Sequence, residues 1–158
     1  MRGRAAVAED YDNVIAVVDD WWGRPVSSSL PRLFFDHFWP TSTIAEDGGG
    51  IAGFLVGFIS PARPEVGYIH FVGVRPDRRG AGLAKRLYEH FAGYALGQGC
   101  HELHAVTAPS NAASVRFHQR LGFSVSEPVV GYNGPGRAMV VFSRDLTSFS
   151  STENPFAT

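Results

Sequence analysis

The feature that most constrains this chain is the segment from Val74 to Ala84, which reads VRPDRRGAGLA. It follows the run 67–74, whose alternating side chains are typical of a strand. Pro76 then forces a turn, and apolar residues at helical spacing begin at Leu83. A strand, a short loop and a helix therefore follow one another directly, as they do in layered α/β proteins.

The loop in this segment has the chemistry of a phosphate site. A helix N-terminus offers free N–H donors, and Gly80 and Gly82 let an anion approach the backbone. Arg78 and Arg79 add positive charge. Lys85 stands where a dinucleotide fingerprint needs its third glycine. Leucine rather than lysine follows Gly82, so a P-loop is excluded too. The alternative is a glycine-rich turn without a ligand.

The remaining pattern predicts a mixed sheet with helices on its faces, an α/β (α+β) class. Strands are predicted at the N-terminus up to Val7, over 41–46, 51–60, 67–74 and 102–107, and around 139–142. Helices are predicted over 9–21, 30–39, 82–96 and 110–121. We expect one domain over residues 1–146. The Ser/Thr-rich segment 147–158 is predicted to be a disordered tail.

A second polar constellation lies on the predicted helix 110–121. Asn111, Ser114 and His118 fall within roughly 60° of one another at about 100° per residue. A neighbouring apolar stripe is expected to be buried, which would put the polar stripe at the edge of a cleft. The alternative is an asparagine N-cap with two solvated polar side chains.

These two segments together resemble the GNAT superfamily of N-acetyltransferases. That family carries Arg/Gln-x-x-Gly-x-Gly/Ala after a strand ending in Val-x-Pro, and residues 79–84 after Val74-Arg75-Pro76 fit this pattern. Its second motif is an Asn, a helix and Leu-Gly-Phe, which residues 111–114 and 121–123 supply. The resemblance extends over most of residues 1–145.

The resemblance implies a GNAT-like fold with a central, mostly antiparallel sheet, and acetyl-CoA as the co-substrate. The acetyl group would pass to a primary amine by direct attack through a tetrahedral intermediate. The residues implied to contact acetyl-CoA are Val72, Gly73, Val74, Arg79, Gly80, Ala81, Gly82, Leu83, Ala84, Asn111, Ser114 and His118.

His70 is the first candidate for the catalytic base, because an alkylammonium must lose its proton before it can attack. Alternation places Tyr68, His70, Val72 and Val74 on one face of the strand, so His70 precedes the implied acetyl site. The alternative is a half-buried histidine with a structural hydrogen bond. Gly73 indicates a bulge that would aim an N–H group at the thioester carbonyl.

His118 stands where many family members have a tyrosine that protonates the departing thiolate. Histidine can donate a proton, but a simple contact with the pantetheine or thiol is the open alternative. Tyr68 and Tyr132 are further hydroxyl candidates. The aromatic residues of the first two helices, from Trp21 to Trp39, would form either an acceptor wall or core.

Composition and residue spacing argue against several other classes. The net charge is -1, and no basic face with interleaved aromatics predicts nucleic-acid binding. Cys100 is the only cysteine, and the histidine spacing predicts no metal site. No apolar run is long enough to predict a membrane span, and we expect a cytoplasmic protein.

The acceptor is left open between a small-molecule amine and a peptide amine. The competing interpretations are a non-catalytic acyl-CoA-binding sensor of the same fold and an enzyme for a longer acyl-CoA. The resemblance also implies a homodimer, since family members are commonly dimers.

Overall fold

The computed structural model describes residues 1–149 and 154–156. In these residues the strands are β1 Arg2–Ala5, β2 Thr43–Asp47, β3 Gly50–Ile59, β4 Val66–Val74, β5 Glu102–Thr107, β6 Ser124–Val125 and β7 Val140–Asp145. The helices are α1 Asp10–Trp22, α2 Leu33–Phe38, α3 Leu83–Gly97 and α4 Ala112–Arg120. Short 3₁₀ turns cover Ser27–Ser29, Trp39–Thr41 and Pro76–Arg78. This element order confirms the predicted α/β class.

The chain folds as two compact units. The first contains Met1–Phe58, Ile69–Tyr94 and residues 154–156, and the second contains Ile59–Tyr68 and residues 95–149. The single domain over residues 1–146 stays a prediction.

The first unit is built on strands β1 to β4, which are neighbours in that order. β1 pairs antiparallel with β2, and β2 pairs antiparallel with β3 across the predicted hairpin. The register of β2 against β3 shifts between Ala45 and Glu46. The core is an apolar cluster from α1, α2, β2, β3 and the connections that precede the two helices. Its buried members are Ala6, Val14, Val18, Trp21, Val26, Leu30, Phe35, Ile44, Phe54 and Val56.

Helix α1 follows its sequence signals closely. Asp10 and Asp12 in its first turn favour the positive end of the helix dipole. Gly23 ends the helix in the left-handed conformation, with φ 70°, and donates its N–H to Asp19 O. Val14 and Val18 are buried, so this side of the helix packs on the core.

The second predicted helix is shorter than expected. The range 30–39 was predicted, but α2 covers only Leu33–Phe38, with 3₁₀ turns before and after it. Pro40 lacks the N–H group that a continuing helix needs, so α2 ends before it. At the other end, the Leu30 N–H donates to Ser27 O and closes the 3₁₀ turn, so Leu30 does not start the α-helix.

The second unit contains the first residues of β4, the strands β5, β6 and β7, and helix α4. The first residues of β4 pair parallel with β5, Val66 opposite Glu102. β5 pairs antiparallel with β7, and β7 pairs antiparallel with β6, a two-residue strand that the sequence pattern missed. Leu103, Phe123 and Phe142 are buried at its centre.

The segment predicted to be disordered contains one well-packed residue. Phe156 is 7% exposed, and the Arg86 guanidinium lies 4.8 Å from the centre of its ring. A Cβ on Gly3 would lie 2.3 Å from that ring, so only glycine fits opposite it. The disordered tail over residues 147–158 stays a prediction. Residues 150–153 and 157–158 of that segment lie outside the described residues.

Candidate active site

His70 lies near the middle of β4, on the half-buried side of the strand. Ile69 and Gly73 on the strand are buried, while His70, Phe71, Val72 and Val74 are each partly exposed. Residues two apart on a strand lie on the same face, so His70, Val72 and Val74 share one face, as the sequence predicts. The described residues thus place His70, Val72 and Val74 on one accessible side of the first unit.

Two contacts fix the orientation of the His70 ring. Nε2 lies 2.7 Å from the backbone oxygen of Ser29, and the Phe34 ring stacks on the imidazole at 3.8 Å and 6°. A carbonyl oxygen only accepts, so Nε2 carries the hydrogen and donates it. In the neutral ring the lone pair is therefore on Nδ1. Nδ1 is the atom of this side chain that can accept a proton from an amine.

Burial lowers the pKa of His70 below its ordinary value of 6.5, and the hydrogen bond to Ser29 opposes this shift only in part. Desolvation disfavours the charged imidazolium, which explains the direction. His70 is accordingly neutral at neutral pH, the state that a general base requires.

The loop between β4 and α3 has the open backbone that the sequence predicts. Gly80 and Gly82 have φ values of 80° and 82°, a region that disfavours side chains with a Cβ. A Cβ at either position would meet nothing within 4 Å. The backbone is therefore exposed directly before α3, whose first N–H groups have no partner inside the helix. Such a site suits a pyrophosphate.

The two arginines of the loop are held by other groups of the first unit. Arg79 donates to the backbone oxygens of Val74, at 3.2 Å, and Trp21. Arg78 forms an ion pair with Asp47. The predicted contribution of these side chains to anion binding is thus combined with a role in fixing the loop itself.

Helix α3 is seated by close contact with β3. A Cβ on Gly53 would lie 3.1 Å from a Leu83 methyl and 3.3 Å from Leu87, both of them buried in the first turns of α3. Glycine at this position therefore lets the start of the helix approach the strand closely.

Gly73 has a packing explanation. A Cβ there would lie 2.5 Å from the Phe54 ring and 3.0 Å from Trp22. Close approach of these two aromatic rings therefore requires glycine, whether or not the position also serves the acetyl group.

In the second unit, Asn111 is the N-cap of α4. Its side-chain oxygen accepts from the Ser114 N–H at 3.2 Å, and its amide donates to Thr107 Oγ1 at 3.2 Å. The predicted capping alternative is therefore present in the structure. A coenzyme contact by Asn111 or Ser114 stays a prediction, and both residues are partly exposed.

His118 is buried in the second unit, with 5% of its surface exposed. Its ring stacks on Phe142 at 3.9 Å and 5°, and Nδ1 donates to the Ser114 backbone oxygen at 2.8 Å. The apolar stripe predicted to be buried beside it consists of Ala113, Phe117 and Leu121; Ala113 is exposed instead, and the other two are partly exposed. The reason is that the His118 ring packs like an aromatic residue and turns its own side of α4 inward.

Tyr68 is partly buried in the second unit, where it pairs with His104 across β4 and β5. Burial raises the pKa of Tyr68 to about 12, with a smaller contribution from Tyr132. At neutral pH it is thus a neutral hydroxyl, able to donate but a weak base.

Sequence reasoning missed two groups that hold His70: the Ser29 carbonyl and the Phe34 ring. The carbonyl belongs to the backbone, so no residue type signals it.

Two further features concern the described residues alone: no three of their His, Cys, Asp or Glu side chains cluster to hold a metal ion, and none of their helices is long and apolar enough to cross a membrane.

The comparison with known families decides the class of this protein. The model of the acetyltransferase (GNAT) family matches residues 11–123. The chain belongs to the GNAT family. This confirms the predicted resemblance, and it makes the protein an N-acetyltransferase whose acetyl donor is acetyl-CoA. The open loop of the first unit fits the pyrophosphate of such a donor.

Individual GNAT relatives agree with this assignment. The chain is 30% identical over 139 residues to L-methionine sulfoximine/L-methionine sulfone acetyltransferase of Pseudomonas paraeruginosa (strain DSM 24068 / PA7), covering 78% of this chain and 80% of that one. Diaminobutyrate acetyltransferase EctA from Paenibacillus lautus, solved with L-2,4-diaminobutyric acid and coenzyme A, has a TM-score of 0.69 and 26% identity. That match covers 90% of this chain and 92% of the other.

A more distant structure supports the fold alone. Ribosomal-protein-alanine N-acetyltransferase from Brucella melitensis is 20% identical, with a TM-score of 0.71 over 92% of this chain and 100% of that one. Enzymes named for different acceptors thus share the GNAT fold. The acceptor of this chain therefore has to be argued from its own residues.

Proposed function

We propose that this GNAT enzyme acetylates the primary amine of a small molecule and that His70 is its general base. The observation that carries the proposal is the 2.7 Å contact between Nε2 and the Ser29 oxygen, which leaves the lone pair on Nδ1. An ammonium group that loses its proton to Nδ1 becomes a nucleophile toward the thioester carbonyl. The coenzyme A thiolate then leaves as the amide forms.

For the donor, we propose that the backbone of residues 79–84 binds the pyrophosphate of acetyl-CoA. The open conformation at Gly80 and Gly82 and the start of α3 support this. Val72, Gly73 and Val74 are proposed to contact the pantetheine arm, since Val72 and Val74 share the accessible side of β4 with His70. Asn111 and Ser114 are proposed as separate contacts from the second unit.

For the acceptor, we propose a small primary amine with an apolar body. Relatives named for methionine sulfoximine and diaminobutyric acid act on small amines. In this chain an aromatic row leads away from His70: Phe34 stacks on it, Phe38 lies 5.9 Å from Phe34, and Phe58 lies 4.7 Å from Phe38. Such a row suits an apolar group, or an ammonium ion that lies over the face of one of the rings.

His118 is retained as a hypothesis for the thiolate proton only, and its burial favours a packing role. Tyr68 carries a proton at neutral pH and is the alternative donor. The homodimer and the cytoplasmic location stay predictions.

The experiment is thiol release from acetyl-CoA with a panel of phenylalkyl amines, alkyl amines, amino acids, diaminobutyrate and a short peptide. It is run on the wild type, on His70→Gln and on His101→Gln. Glutamine retains a donor where Nε2–H was and lacks a base. His101 is exposed, so its variant is the matched control.

We expect one amine class to stimulate release, and His70→Gln to lose it while binding acetyl-CoA as the wild type does. Release that persists in His70→Gln would remove His70 as the base. Tight acetyl-CoA binding with no turnover of any amine or of the peptide would favour the sensor interpretation. Turnover that appears only when a longer acyl-CoA replaces acetyl-CoA in the same assay would favour an enzyme for a longer acyl donor.

A further inference from the structure

We infer that Asp47 is a positioning residue for acetyl-CoA binding, because it ties the β2–β3 hairpin to the turn that carries the glycine loop. Asp47 ends β2, far along the chain from that loop, and its side chain is only 9% exposed. This inference rests on the proposed function, since it takes residues 79–84 as the pyrophosphate site.

Two guanidinium groups converge on the Asp47 carboxylate. Arg75 donates from one terminal nitrogen at 2.8 Å and from the other at 3.3 Å, and Arg78 forms an ion pair with the same carboxylate. The Gly49 N–H also donates to it at 2.8 Å. These donors keep the pKa of Asp47 far below its ordinary value, with the Arg75 bond as the largest cause. The carboxylate therefore stays charged under working conditions.

Arg75 extends this connection to the loop. Its Nε donates to Asp77 at 2.6 Å, and a terminal nitrogen donates to the Ile51 oxygen at 3.0 Å. Its backbone N–H donates to Ala52 O at 2.8 Å. One side chain thus joins the end of β2, the start of β3 and the 3₁₀ turn Pro76–Arg78.

The 3₁₀ turn Pro76–Arg78, which this network holds, immediately precedes the loop that contains Gly80 and Gly82. Neither glycine has a side chain to fix its backbone, and a Cβ at either would meet no atom within 4 Å. Their conformation therefore depends on the residues on either side: α3 after the loop and the Asp47 network before it. Loss of the network would leave the backbone donors of the loop less well aligned for a diphosphate.

The test compares steady-state kinetics of Asp47→Asn, Arg78→Gln and the double variant with the wild type. Asparagine is nearly isosteric and removes the charge. We expect the KM for acetyl-CoA to rise about tenfold in Asp47→Asn, with kcat at saturating acetyl-CoA and the KM for the amine within about twofold. Because Asp47 and Arg78 act as one unit, the double variant should add little to the single ones.

Asp12→Asn is the matched control. It breaks another carboxylate–guanidinium pair of the first unit, with Arg32, but both side chains are largely exposed at 71% and 52%. We expect no change in the KM for acetyl-CoA. Thermal melts of each variant show whether it is folded. If Asp47→Asn unfolds, Arg78→Gln tests the inference in its place, because the Arg78 side chain is 45% exposed and its loss leaves the Arg75–Asp47 pair intact.

Unchanged kinetics in Asp47→Asn would overturn the inference. A lower KM would overturn it too, because it would mean that Asp47 competes with the phosphates for Arg78. Gly82→Val, measured for acetyl-CoA binding by calorimetry, separates the two proposals. If Gly82→Val binds normally, the loop is not the pyrophosphate site and the proposed function fails there; if it loses binding while Asp47→Asn does not, only this inference fails.

Discussion

His70 in the first unit and His118 in the second are held in nearly the same way. Each imidazole stacks on a phenylalanine, at 3.8 Å and 6° for His70 and at 3.9 Å and 5° for His118. Each donates one ring N–H to a backbone carbonyl, at 2.7 Å and 2.8 Å. Burial lowers the pKa of both. Ring fixation alone therefore does not distinguish a base from a core residue.

The difference lies in exposure and in the element that carries the ring. His118 is 5% exposed and packs inside the second unit, while His70 is partly exposed on β4 and points its Nδ1 lone pair away from Ser29. The comparison teaches that access, added to a fixed tautomer, is what makes a histidine a candidate for catalysis. The following experiments test this distinction.

The largest expected effect is on catalysis by His70. In His70→Gln, kcat should fall roughly 100- to 10,000-fold, the range for loss of a general base. The rate of thiol release at saturating substrates gives kcat, and acetyl-CoA binding is measured in parallel. If His118→Gln lost as much activity while remaining folded, the distinction between the two histidines would be wrong.

The second effect concerns stability of the second unit. His118→Ala leaves the face of Phe142 uncovered and removes the contact with Ser114, so the free energy of unfolding should fall by about 2–4 kcal/mol. Urea denaturation measures it, and kcat of the folded variant should remain within tenfold of the wild type. His70→Ala, at a partly exposed position, should lose less stability.

A third experiment uses pH. The pKa of His70 is lowered, so kcat/KM should rise with pH at values below 6.5, as the imidazole loses its proton. Above pH 6.5, groups other than His70 should determine the pH dependence of kcat/KM. The pKa of His118 is also lowered in the folded protein, so the unfolded chain takes up its proton first as pH falls below about 6.5. Stability should therefore decline from that pH downward, and less so in His118→Asn. A wild type that gained stability on acidification over this range would contradict the assignment.

The smallest effects come from the stacking partners. Phe142 is fully buried, so Phe142→Leu should cost about 1 kcal/mol of stability with little change in kcat/KM. Phe34→Leu should do the reverse, lowering kcat/KM about fivefold through looser orientation of His70. Parallel melts and kinetics of the two variants would show whether each phenylalanine supports the function assigned to its histidine.

Much of the fold could be predicted because its signals are local. Alternation identified β4, and Pro76 followed by Gly80 and Gly82 marked the loop before α3. The same signals failed where they were short or interrupted: β6 has two residues, and the run around α2 is divided by prolines. Two residues are too few for alternation to be recognised, and a proline on each side limits the helical run.

The candidate site was predicted less completely because its partners are distant in sequence. Ser29 and His70 are 41 positions apart and meet through a backbone oxygen, which leaves no trace in residue type. Asp47 and Arg75 are 28 positions apart, and carboxylates at hairpin turns are common enough to pass unnoticed. For His118, counting the ring as polar concealed that it packs like an aromatic residue.

The site of Phe156 against Gly3 and Arg86 has a consequence for how the chain is made. A ribosome delivers residues in order, so β1 and α3 emerge well before the aromatic ring that fills the space between them. Until then the Arg86 guanidinium faces water. The first unit therefore acquires this contact only after the second unit has been synthesised.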